Sequence, residues 1–279
     1  MIDCHTHVFP PKIGPRLAAS IGRECGLEPV GDGLAENLFQ HLDRAGLNRA
    51  ICFTAALRAD QMIPANSWMI SLGQTHSRLI PFGTVHPEHP AWPGELDRLE
   101  RNGIRGLKLH PDLAGIPLDS HVWEPIWEAA RGRFVVTLHM GPARAGGPTI
   151  SRPAHVAGIL ERHAGLDIVA AHLGGLGLWG ETLEHLAGKE LFMDTSCCQG
   201  AIPPETFSAI LARHDPQRIL FGSDYPLFAP DSERAALECL LAKLGQPEDT
   251  VLKNGKLLAD ILQPVGFAGW PPVHAIDFS

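Results

Sequence analysis

The chain has 279 residues, enough for one α/β barrel, which commonly needs about 250, or for two modest domains. Apolar residues make up 44% and charged residues 19%, a soluble globular composition, and no run approaches the roughly 20 apolar residues of a membrane span. A formal net charge of -8 and a pI near 6.0 give no general attraction to nucleic acid, so neither nucleic acid nor membrane is the expected partner and a small molecule is.

The chain opens with IDCHTH, where strict strand alternation puts Asp3, His5 and His7 on one face and Ile2, Cys4 and Thr6 on the other. A His-x-His pair on a strand offers two imidazole nitrogens to one ion. Residues 8 to 34 follow as a Pro- and Gly-rich connection carrying Arg16 and Arg23, read as a structureless loop of the kind that forms lids. Seven more apolar or β-branched runs succeed it: RAICFTA (49 to 55), RLIPFGTV (78 to 85), GIRGLKLH (103 to 110), FVVTLHM (134 to 140), LDIVAAHL (166 to 173), ELFMDTS (190 to 196) and RILFGSD (218 to 224). Amphipathic stretches lie between them, among them AENLFQHLDRAG, WPGELDRLERNG, RPAHVAGILERHAG and SERAALECLLAKLG, several ending in Gly as helices often do.

Strands alternating with helices are the pattern of repeated βα units. Eight of them, with no G-x-G-x-x-G and no Walker-type loop, predict an α/β protein built as a (β/α)8 TIM barrel, open to distortion, in one domain over residues 1 to 279. The final QPVGFAGWPPVHAIDFS is expected across the barrel or at a subunit contact; barrels of this kind often form homodimers. The six cysteines contain no C-x-x-C pair, and no charged n-region precedes an apolar stretch at the start, so the expected compartment is the cytoplasm. Vicinal Cys197 and Cys198 read as packing residues, with redox sensitivity as the other reading.

Barrel enzymes collect their chemistry at the C-terminal ends of the strands. Here those ends carry His5 and His7, Lys108 and His110, His139, His172, and Asp224. One such histidine is ordinarily a packed core or rim residue; five strand ends converging on one mouth point to a metal. Nitrogen and carboxylate donors without a thiolate motif suit Zn²⁺ first, with Mn²⁺, Fe²⁺ or Co²⁺ as substitutes. His5, His7, His139 and Asp224 are the candidate ligand set, around an ion that acidifies a bound water.

The segments DCHTH, GIRGLKLHP, VVTLHMG, IVAAHLGG and ILFGSDYP, in that order, resemble the amidohydrolase superfamily, and within it the amidohydrolase-2 group of metal-dependent hydrolases and decarboxylases similar to aminocarboxymuconate semialdehyde decarboxylase. The resemblance spans nearly the whole chain and adds a C-terminal extra helix at VLKNGKLLADIL, before the tail. It implies that His5, His7, His139 and Asp224 hold one divalent ion, that Asp224 also moves protons, and that His172 is an acid/base or polarising group or, in binuclear relatives, a ligand to a second ion. Lys108 lies near the strand-four lysine that is carbamylated in binuclear relatives. The KLHP context resembles mononuclear members instead, which makes Lys108 an unmodified contact to an anionic substrate or a neighbouring carboxylate, or else part of a structural ion pair.

Asp3 is expected to hold a strand-one histidine or a backbone group in place. His110 is expected to line the pocket, and His86 to lie on the rim or behind the ligands. Arginine is the usual partner of a carboxylate, which draws attention to Arg58, Arg144 and Arg152 as loop contacts to an acidic substrate, Arg144 foremost. Trp179 either closes over a ring or packs in the core. The leading expectation is hydrolysis of a C-N or C-O carbonyl bond in a small molecule, possible carboxylates included. The alternative is non-oxidative decarboxylation of an unsaturated or aromatic acid; phosphodiester cleavage and a non-catalytic metal-stabilised binding protein rank below both.

Overall fold

The computed structural model describes residues 1 to 143 and 147 to 263. Its eight strands are β1 (Ile2–His7), β2 (Arg49–Phe53), β3 (Leu79–Pro81), β4 (Gly106–Leu109), β5 (Val135–Leu138), β6 (Ile168–Ala170), β7 (Phe192–Asp194) and β8 (Ile219–Leu220). All pair in parallel with their sequence neighbours, β1 to β3 in one run and β4 to β8 in another. Two parallel bridges join the runs, Gly83 with Leu107 and Thr6 with Tyr225, and they turn the sheet into a closed ring. Backbone bonds from Lys108 N to Gly83 O (2.8 Å) and from His7 N to Tyr225 O (2.7 Å) carry the closure. The expected α/β barrel is therefore the observed fold.

Strand periodicity divides the core in two. Ile51, Phe53, Phe82, Val135, Val169, Phe192 and Leu220 fill the barrel interior, while their chain neighbours Cys52, Val136, Ala170 and Ile219 face the surrounding helices. Those helices include Ala35–Arg44, Trp92–Arg101, Pro153–Arg162, Pro204–Arg213 and Pro230–Lys243, at the amphipathic stretches read from the sequence. The C-terminal helix Gly255–Ile261 joins the interior cluster through Leu258 and Ala259 and so plugs the end where the strands begin. The tail beyond residue 263 lies outside the described residues.

Three sequence expectations change. Residues 8 to 34 are not structureless, because Gly14–Cys25 is a helix: Pro15 occupies its first turn and Gly26, at φ 71°, caps its end. The residues that looked like loop markers are the two ends of the helix. Met62–Thr75 and Trp179–His185 are helices that the amphipathic reading passed over; MIPANSWMISLGQT is apolar around much of its circumference and shows no clear stripe.

The third change concerns β1. Asp3 pairs with Ala50 and Thr6 with Cys52, so three steps on β1 match two on β2, and a bulge interrupts the alternation. Cys4 and His5 both come to face the barrel interior beside Ile51, and Asp3 does not share the face of His5 and His7. The bulge lets one strand contribute Cys4 to the apolar interior and His5 to the mouth above it.

The interior has no spare room at Gly106. A methyl group there would lie 2.4 Å from three ring carbons of Phe82. Gly106→Ala is expected to destabilise the protein by about 1–3 kcal/mol through overpacking, read from the urea midpoint; an unchanged midpoint would show that Phe82 can move aside.

Candidate active site

The parallel register brings the polar strand ends to one mouth. Asp224 N donates to His5 O at 2.8 Å, which ties the segment after β8 to β1. Gly222 makes the approach feasible, since a Cβ at that position would lie 2.8 Å from the His5 Cβ. His7 Nε2 then lies 3.2 Å and His5 Nε2 3.5 Å from Asp224 Oδ1. Donor atoms of His5, His7 and Asp224 fall within 4.8 Å of one another, a spacing that suits a common cation.

The His5 ring is oriented by Asp194, the last residue of β7, which only β8 separates from β1 in the ring. Asp194 Oδ2 lies 2.9 Å from His5 Nδ1. Its Oδ1 accepts from the backbone N–H groups of Ser196 (3.1 Å) and His172 (3.2 Å) and from the Ser196 hydroxyl. Burial alone would raise the Asp194 carboxyl; the His5 ring and these hydrogen bonds outweigh it and hold the group below the ordinary carboxylate range. An ionised carboxylate only accepts, so His5 Nδ1 carries the proton and Nε2 keeps a free lone pair.

The same logic fixes two more rings. His172 Nδ1 donates to Ser196 O at 3.0 Å, leaving Nε2 as an acceptor. His139 Nδ1, 3.1 Å away, donates to that Nε2, so the remaining lone pair of His139 is on its Nε2. That atom is buried and has no hydrogen-bond partner. An imidazole nitrogen left without a hydrogen-bond partner after β5, together with the His5, His7 and Asp224 group, makes a donor set that fits a divalent metal. His139 lies outside the His5, His7 and Asp224 group itself and reaches the site through His172.

Burial sets the electrostatics. It lowers His5 to about 4, with Lys108 adding to the effect, and lowers His110, His139 and His172 as well, so these rings are neutral at pH 7. Burial raises Asp224, but His5 and His7 outweigh it and keep it ionised. Lys108 is only 1% exposed, with Nζ 3.2 Å from His5 Nε2 and 4.8 Å from the centre of the Phe53 ring. Burial lowers it to about 8, although Asp194 and Asp224 favour its charge. Asp3 receives the backbone N–H groups of His5 and Ser223, each at 3.1 Å, rather than an imidazole, and burial raises it to about 7.

His172, Cys197 and Asp224 have φ of 59°, 59° and 67°, left-handed values that side-chain-bearing residues seldom adopt. They hold strained backbone at the ends of three adjacent strands, where such strain is a mark of functional sites.

Other sequence candidates lie elsewhere or serve other ends. His110 stacks on His139 at 3.8 Å between ring centres, while its Nδ1 accepts from Leu113 N. Arg144 lies outside the described residues. Arg58 pairs with Asp60 and Arg152 with Glu181, and Arg16 and Arg23 are exposed. Trp179 is buried, with its indole N–H on His172 O. His86 is buried rather than on the rim. Sequence reading missed Asp194, Ser196 and Cys197. The signal was present in ELFMDTS, whose Asp is the only acidic residue at the C-terminal end of that strand.

A family model described as amidohydrolase matches residues 2–253. Among solved structures, an uncharacterized TIM-barrel protein from Bordetella bronchiseptica is 16% identical, with 94% of this chain and 99% of that one covered and a TM-score of 0.69. The 5-carboxyvanillate decarboxylase of Sphingomonas paucimobilis is 15% identical over 94% of this chain and 98% of that one, with a TM-score of 0.64. A protein from Pseudomonas putida, described as a candidate 2-pyrone-4,6-dicarboxylic acid hydrolase, is 22% identical over 93% and 97%, with a TM-score of 0.62. At these identities the likeness is one of fold. No curated protein matches the sequence.

Asp194→Ala would leave the His5 ring N–H, the Ser196 hydroxyl and two backbone N–H groups without their shared acceptor. A loss of about 2–3 kcal/mol is expected from such stranded donors, measured by chemical denaturation; a wild-type midpoint would mean that water replaces the carboxylate.

Proposed function

The chain belongs to the amidohydrolase family, and from that premise we propose that it is a divalent-metal-dependent hydrolase of a small molecule with a C-N or C-O carbonyl bond. The observation that carries this reading is the grouping of the His5, His7 and Asp224 donor atoms within 4.8 Å of one another at the barrel mouth. His5, His7, His139 and Asp224 would hold the ion, Zn²⁺ suiting nitrogen and carboxylate donors best. When bound, such an ion polarises a carbonyl and makes water acidic enough to be deprotonated at neutral pH.

The side chains supply the rest. Asp224, ionised and at the centre of the group, accepts the proton of the attacking water and returns it to the leaving atom. His172 Nε2, an acceptor in the tautomer imposed by Ser196, is the second atom for that proton, which it takes up by giving up the hydrogen bond it accepts from His139 Nδ1. Asp194 keeps the His5 ring from turning, and Lys108 offers a buried cation to an anionic group of the substrate. The domain is taken to span the whole chain.

A second reading, metal-dependent decarboxylation of an unsaturated or aromatic acid, uses the same residues, with Asp224 delivering its proton to carbon. The buried Lys108 ammonium favours a carboxylate substrate in both cases. Release of CO₂ without consumption of water separates the two.

Asp224→Asn is expected to keep much of its metal and to lose about 10²–10⁴-fold in kcat, the usual worth of a general acid–base group; wild-type turnover would refute the proton-transfer role. His5→Ala/His7→Ala is expected to bind less divalent metal per chain than the parent, measured by elemental analysis of tag-free protein prepared without chelator. Equal metal content in the two proteins would remove the basis of the metal reading.

A further inference from the structure

We propose that Cys197, His172 and the outer oxygen of Asp224 form a sulfur-bearing cation position beside the histidine-lined one, which fits the mouth to a thiophilic divalent ion. The inference rests on the metal-dependent reading above and deepens it. A nitrogen of His172, the Cys197 Sγ and a carboxylate oxygen of Asp224 lie within 4.8 Å of one another, a grouping that one ion would draw together, with the His172 ring exchanging its hydrogen bond to His139 Nδ1 or Ser196 O for the cation. It is the one such group among the described residues that includes a thiol.

Asp224 faces two ways. Its Oδ1 meets His7 and His5 at 3.2 and 3.5 Å, while its Oδ2 lies 2.8 Å from Cys197 Sγ. The sulfur therefore approaches the carboxylate from the side that the strand-one histidines leave open. His172, Cys197 and Asp224 are also three of the four non-glycine residues with positive φ among the described residues, so the backbone at the ends of β6, β7 and β8 is bent to present them. The neighbouring thiol does not compete: Cys198 is buried and its Sγ donates to Ser196 O at 3.2 Å. Of the vicinal pair, Cys197 serves the site and Cys198 the core.

Thiolate ligands select Zn²⁺ and Co²⁺ over Mg²⁺ and Mn²⁺, which oxygen donors serve better. Binding is a ligand exchange without change of oxidation state. The S–H bond breaks, the sulfur lone pair bonds the ion, and one proton per thiol is released to solvent.

The test is a titration of the metal-free, full-length chain with Co²⁺ alone, following the thiolate-to-cobalt charge-transfer band in the near ultraviolet and the visible d–d bands. The parent and Cys198→Ser are expected to show the charge-transfer band. Cys197→Ser is expected to lose it while still binding cobalt, as its d–d bands report, and Cys197→Ala serves equally should the serine variant not fold. Cobalt bound without the band in the parent, or a band that survives in both Cys197 variants, overturns the sulfur ligand and leaves the parent reading standing. A parent chain that takes up no cobalt overturns both.

Discussion

The backbone bonds that join β1 to β8 and the segment after it, His7 N to Tyr225 O and Asp224 N to His5 O among them, close one side of the barrel, and the site depends on them. Parallel pairing of the first strand with the segment after the last aligns their C-terminal ends, so residues from opposite ends of the chain arrive at one level. His5 and Asp224 face each other because their backbones are bonded, and His7 follows two residues later in the same direction. Gly222 and the bulge in β1 are the local adjustments that permit it. One removes a Cβ that would press on His5, and the other turns both Cys4 and His5 inward. The geometry at the mouth is thus a consequence of ring closure more than of any one loop.

Closing the ring buries polar groups, and each buried group needs a partner. Asp194 is that partner for four donors at the mouth. With one carboxylate it accepts from the His5 ring, the His172 and Ser196 amides and the Ser196 hydroxyl, and through Ser196 it also sets the tautomer of His172. This chain of bonds leaves lone pairs at His5 Nε2 and His139 Nε2. The former meets Lys108, and the latter meets no hydrogen-bond partner. A fold that satisfied every group equally well would leave nothing with which to bind a cation.

Much of this was legible in the sequence because two periodicities mark it. Eight apolar runs at strand length gave the barrel, and a histidine, lysine or aspartate at the end of a run gave most of the mouth. What escaped depends on information that a linear pattern does not contain. Asp194 looked like an ordinary strand-end residue; its role arises only when ring closure brings β7 to within one strand of β1, with His5 Nδ1 2.9 Å away. The β1 bulge is a property of pairing with β2, so strict alternation misassigned Asp3. Cys197 looked like a packing residue next to Cys198, and only a left-handed backbone turns its sulfur toward Asp224. The helix Gly14–Cys25 was hidden because Pro and Gly mark helix ends as well as loops.

The placement of positive charge bears on the chemistry. Arg58 and Arg152 are engaged by neighbouring carboxylates at the surface, whereas Lys108 is enclosed within the site among Asp194, Asp224 and His5. In that low-dielectric setting an ammonium attracts an anionic group far more strongly than a solvated arginine does. Its effect on rate depends on what becomes of the anion. A carboxylate that stays on the substrate through the reaction is held equally before and during the chemical step, and serves as a handle. A carboxylate that leaves as CO₂ loses its charge on the way to the transition state, so a cation gripping it stabilises the starting acid more than the transition state and slows the reaction. In either proposed chemistry Asp224 would deliver a proton and Lys108 would bind a carboxylate, but binding of that kind would speed only the reaction in which the carboxylate stays. A Lys108 ammonium placed against a substrate carboxylate would therefore suit cleavage of a bond elsewhere in the molecule, the hydrolytic reading proposed above, better than loss of that carboxylate.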